Sequence, residues 1–111
     1  MVPEIKAKWL AKLRDERTKQ GGGGLRNDGF CCLGVLCEVH REENPELTWV
    51  KWSDRSDSYM GAWRYLPDAV VEWAGLPNSD PKADLSRPTL SYLNDKGYPF
   101  AKIADWIEEY L

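Results

Sequence analysis

A chain of 111 residues suits one domain, residues 1–111, with a single modest core. Its net charge of −3 is unevenly placed: residues 1–26 carry seven Lys/Arg against three Asp/Glu, and the rest carry eight against fifteen. A basic first quarter on an acidic body argues against a duplex-DNA binder, and no apolar run is long enough to span a membrane.

Pro3 suits a first helical position, and Ile5, Trp9, Leu10 and Leu13 follow at helical spacing, predicting a helix that ends near Arg17. Thr18 to Arg26 contains Gly21 to Gly24, which cannot hold a helix, and leads into the turn Asn27-Asp28-Gly29. Phe30 to about Arg41 reads as a second helix, apolar all round and therefore covered on most sides. A buried strand competes for this segment, because periodicity does not separate the two in a short apolar run. Residues 43–65 lack helical period. Thr48–Trp52 and Tyr59–Trp63 flank the polar turn Ser53–Asp57, as in a small irregular hairpin or a long functional loop. Pro67-Asp68 opens a short helix that Gly75 stops, and residues 76–86 form a loop. Pro88 starts another short helix closed by Asn94-Asp95-Lys96-Gly97. Pro99 starts the last, with Phe100, Ile103, Ala104, Ile107 and Leu111 on one stripe. This C-terminal helical hairpin resembles a helix-turn-helix, but Asp105, Glu108 and Glu109 make its last helix unfit to meet phosphate. The expected fold is a small α+β domain, mainly helical, built on a central buried helix with a small β-hairpin element.

All three cysteines, Cys31, Cys32 and Cys37, lie in the uncharged octet of residues 30–37. A thiolate at a helix N-terminus is activated, but His40, the single histidine, sits two to three turns away, too far to act as its base. Buried, reduced, space-filling thiols are expected in a cytoplasmic protein, since the opening is charged and amphipathic rather than leader-like. Cys37 and His40 share a helical face, yet four convergent zinc ligands are missing, so no metal and no cofactor is expected. The glycine run between Lys19 and Arg26 offers amides and charge to an anion, without a P-loop ending. Asn94-Asp95 at a helix end serves either turn formation or a polar ligand. Six tryptophans fit a core and its rim, or a binding surface.

Several segments resemble a small family that recurs in tailed phages and prophages. They are Pro3-Glu4-Ile5 with Trp9 and Leu13; Gln20-Gly21 with Leu25-Arg26; Gly29 through Cys37; Leu66 through Leu76; Leu90 through Asp95; and Phe100 through Asp105 with Ile107-Glu108. The chain departs from that pattern at Gly22 and Gly24, where relatives tend to place a basic residue and an alanine. The resemblance implies a phage accessory protein, acting in the host cytoplasm and in evasion of host defence. The leading expectation is a non-enzymatic protein that binds a small polar or anionic, nucleotide-like ligand. Lys19, Gln20 and Arg26 would contact the anion, Asn94 and Asp95 would read polar edges, and Trp63 would stack. One alternative is a host-protein-binding module using exposed Trp49, Trp52 and Tyr59; another is an enzyme that uses Cys31. Homo-oligomerisation is left open.

Overall fold

The computed structural model describes residues 1–111. Helix α1 spans Pro3–Leu13 and buries Ile5, Trp9, Leu10 and Leu13. It ends a turn earlier than its spacing predicts. The Asp15 carboxylate accepts the Arg17 backbone N–H at 2.9 Å, a local side-chain bond that competes with further helix. Trp9 fastens α1 to the next helix: its indole N–H donates to the Cys32 carbonyl at 2.9 Å.

Strand β1 (Arg26–Asn27) pairs antiparallel with β3 (Ser56–Ser58), which pairs on its other side with β2 (Val50–Lys51). The predicted polar turn Ser53–Asp57 is therefore only half right. Ser56 and Asp57 begin the central strand, and Ser56 is buried because a neighbour flanks it on each side. Helix α2 covers Cys32–Glu43, two residues displaced from the predicted span at each end. Phe30 bridges to Gln20 and Cys31 stays extended, which delays the start. At the far end the Asn44 side chain donates to the His40 carbonyl at 2.9 Å and closes the helix.

The burial of α2 is the dominant packing fact. Cys32 through Cys37 are all buried, and one cluster of 24 residues runs from Ile5 on α1 to Ile107 near the C-terminus. The run is helix rather than the competing buried strand, a choice that periodicity had left open. Gly34 is what lets the chain before β1 lie against α2. A Cβ there would stand 1.8 Å from the Leu25 carbonyl oxygen. Helices α3 (Asp68–Ala74), α4 (Leu90–Asp95) and α5 (Phe100–Tyr110) complete the molecule. Gly75, at φ 69°, ends α3 in the left-handed conformation that glycine adopts without strain. Helix α4 begins at Leu90 rather than Pro88. Asp80, from the preceding loop, accepts from the Ser91 N–H at 3.1 Å and its hydroxyl at 2.6 Å, meeting donors that a first turn leaves free. No helix is long and apolar enough to cross a membrane.

Alanine at Gly34 would overlap backbone rather than a flexible side chain. The Gly34→Ala variant is expected to lose about 3 kcal/mol or more, read as a lowered urea midpoint at unchanged slope.

Candidate functional site

The glycine run and the end of α4 meet, as the motif reading supposes, but through bonds that consume their polar atoms. Asn94 is buried, and its carboxamide serves three groups. The oxygen accepts from Gln20 Nε2 at 2.8 Å and from the Cys32 backbone N–H at 3.2 Å. The nitrogen donates to the Gly21 carbonyl at 2.8 Å. Gln20 also donates to the Tyr98 carbonyl at 2.9 Å and accepts the Phe100 N–H at 3.2 Å. Asp95 Oδ1 accepts the Gly23 N–H at 3.0 Å. Turn formation and ligand reading were the two uses foreseen for Asn94-Asp95. The structure adds a third, in which the pair clips a loop onto the N-terminus of α2. An open depression of about 520 Å³ lies over this clip, lined by Gln20–Gly23, Asn94, Asp95 and Gly97.

The other candidate residues do not line that depression. Lys19 is exposed and lends its carbonyl to the Phe30 N–H at 2.9 Å. The Arg26 guanidinium lies 5.3 Å from the Phe30 ring centre, 5.6 Å from that of Trp49, and 3.5 Å from the Asp57 carboxylate. Trp63 is stacked on Trp52 with ring centres 6.2 Å apart and planes 9° from parallel. Of the aromatics foreseen as exposed, Trp52 is 57% accessible, Trp49 is half-buried, and Tyr59 is fully buried.

A second cavity, of about 300 Å³, opens on the outer face of α4, and Asp95 belongs to both. Its cations are Arg64 and Lys96, and its carboxylates are Asp95 and Asp80, the latter bonded to Ser91. Arg64 is loosely held: one nitrogen is 3.7 Å from Asp95 Oδ2, one donates to the Gly23 carbonyl at 3.3 Å, and Nε donates to the Tyr65 hydroxyl at 3.2 Å. Lys96 lies 5.3 Å from the Tyr92 ring centre and has no carboxylate within ion-pair distance. Tyr65, Thr89 and Tyr92 add a hydroxyl each to the lining. The sequence motifs passed over these residues. The available signals were the triplet Trp63-Arg64-Tyr65 and the pair Tyr92/Lys96, four apart and off the inward stripe of Leu90, Leu93 and Asn94.

The thiols are set against reactivity. Burial pushes Cys31 up to about 11 and raises Cys32 and Cys37 well above an ordinary thiol. Cys31 Sγ accepts the Gly34 N–H at 3.4 Å, and Cys32 Sγ donates to the Leu90 carbonyl at 3.4 Å. No group of His, Cys, Asp and Glu side chains converges as a metal cage would require. His40 Nδ1 lies 2.6 Å from the Tyr59 hydroxyl, and the ring packs edge-on against Trp73 at 4.8 Å. Burial lowers its pKa, partly opposed by Glu43 and Glu46.

The fold and its clip define a small α+β domain with polar cavities at one helix end. The chain belongs to the family described as a domain of unknown function (DUF8296), whose model matches residues 1–111. No curated protein and no solved structure matches it.

Asn94→Leu keeps the volume but strands the Gly21 carbonyl and the Cys32 N–H, at about 1–3 kcal/mol for each such group, and takes one bond from the Gln20 amide. The expected result is a loss of about 3 kcal/mol or more on urea unfolding, together with faster alkylation of the cysteines. For His40 the unfolded chain titrates near the ordinary value and the folded protein below it. Between those two values the unfolded state holds the extra proton. The stability is therefore fully present above about pH 6.5 and falls as pH drops through the window. Urea midpoints measured between about pH 7.5 and 5.5 should decline toward acid, and His40→Gln should flatten that slope.

Proposed function

We propose that this domain is a non-catalytic binding module for a small anionic, nucleotide-like ligand, seated on the outer face of α4. The observation that carries the reading is the cavity of about 300 Å³ in which Arg64 and Lys96 face the rings of Tyr65 and Tyr92. Its volume is at the lower end of small-ligand sites. Two cations suit a phosphate, and half-exposed tyrosines suit a flat base. The loose contact of Arg64 with Asp95 leaves the guanidinium free to turn toward a better acceptor. Lys96 sacrifices no ion pair to do the same.

The sequence motifs placed this ligand on Lys19, Gln20 and Arg26, with Asn94, Asp95 and Trp63 completing the site. Gln20 is bonded at both amide atoms, and Arg26, though still partly exposed, is paired with Asp57 and lies outside the depression, which favours the α4 cavity instead. The likeness of the cysteine octet and the C-terminal helices to phage and prophage proteins extends the proposal. The protein would act in the host cytoplasm by holding a nucleotide-like host signal. The buried, high-pKa thiols supply no support for a reading as a cysteine enzyme.

Calorimetry with nucleoside mono-, di- and triphosphates and cyclic dinucleotides should find at least one binder. Lys96→Ala should weaken it about tenfold, the worth of one charge-assisted contact, with unfolding changed by less than about 0.5 kcal/mol. Silence across that panel from a correctly folded protein removes the proposal.

A further inference from the structure

Nine large apolar side chains are exposed, and five of them lie along one track: Trp52, Trp63, Tyr65, Tyr92 and Tyr98. The track is continuous. Trp52 stacks on Trp63, and Trp63 leads through Arg64 to Tyr65, at the wall of the α4 cavity. Tyr92 and Lys96 form the opposite lining and also line the next cavity, of about 420 Å³, which ends at Tyr98 and Trp106. Cations lie over the rings. Arg64 lies over Tyr65 and bonds its hydroxyl, Lys96 lies over Tyr92, and Lys102 lies 5.3 Å from the Trp106 ring centre, beside an Arg87 that is paired with Asp84.

We infer that this track binds single-stranded nucleic acid, with the α4 cavity as its central nucleotide position; the inference rests on the cavity being a nucleotide site. Half-exposed rings with cations close beside them along a surface are what an unpaired strand needs, rings for bases and charges for phosphates. A duplex hides its base faces and does not use such rings. A protein partner's interface core is depleted of lysine, whereas here Lys96 sits at the centre. The carboxylates along the track stay charged but are each held by a protein donor, while Lys96 and Lys102 carry no ion pair of their own. Asp80 is bonded to Ser91, Asp84 to Arg87 and Ser86, and Asp95 to the Gly23 N–H. Other acids are paired with α1: Glu42 and Glu43 with its lysines, Asp105 and Glu108 with Arg14 at its end. The longest dimension of the molecule is 34 Å, so the strand it takes is short.

The test is fluorescence anisotropy with end-labelled oligothymidylates of one, three, six and nine nucleotides, on the intact chain. Affinity should rise with length up to about six nucleotides and then level, and should fall as salt is added. Trp52→Ala and Lys102→Ala lie outside the central cavity. Each should weaken the six-mer about fivefold or more, without changing the calorimetric binding of a mononucleotide. If a mononucleotide binds and lengthening adds nothing, the cavity reading stands and the track falls. If neither mononucleotides nor oligomers bind, both fall. If inorganic polyphosphate, polyglutamate or a duplex of equal charge binds as tightly as the six-mer, stacking contributes nothing and the inference is overturned.

Discussion

One buried carboxamide holds the molecule in register. Asn94 joins Gln20 and Gly21 to Cys32, residues that are between 62 and 74 positions away in the chain. Two of its bonds satisfy backbone groups that would otherwise be orphaned, and the third holds a Gln20 amide that also bonds the Tyr98 carbonyl. The Cys32 N–H is one of the unpaired donors of a helix N-terminus, and the Gly21 carbonyl belongs to a loop with no sheet partner at that atom. The amide thereby sets where α4 stands relative to α2. Because α5 follows α4 through a short turn, the amide also sets the angle at which the C-terminal stripe meets the core.

The same packing explains what the cysteines do. Helix α2 is covered by α1, α3 and α4, and Leu25 is pressed on it at Gly34. A helix so enclosed has little room for charge, which is why its thiols are held protonated and serve as small apolar groups. The positive end of the helix dipole, the feature that activates thiols elsewhere, is spent on the Asn94 oxygen and on Cys31 Sγ, a structural cap rather than a nucleophile.

Charge is sorted by surface. The basic residues of the first quarter, which read as an anion site in the linear chain, are largely consumed holding helices together. Lys8 and Lys12 pair with Glu43 and Glu42, and Arg14 pairs with Asp105 and Glu108. Lys96, at the end of α4 in the part of the chain with excess acid, has no ion pair. Net charge of a segment is thus a poor guide to the charge of a surface.

The sequence by itself determined the helices and the interior. Periodic apolar spacing defined α1 and α5, Gly75 marked the end of α3, and the uncharged octet of residues 30–37 announced the central buried helix, because these signals are local or depend on burial alone. It also offered Gln20, Asn94 and Asp95 as polar groups in need of partners, without saying which partners they have. Only the tertiary structure decided how. It made Gln20 and Asn94 partners of each other and of the backbone, buried Tyr59, set Arg26 against two rings and Asp57, and placed Arg64 and Lys96 in one cavity lining. Those outcomes rest on contacts between residues dozens of positions apart. A linear pattern records which side chains could bond, while the packing of the helices selects which of them have already found each other.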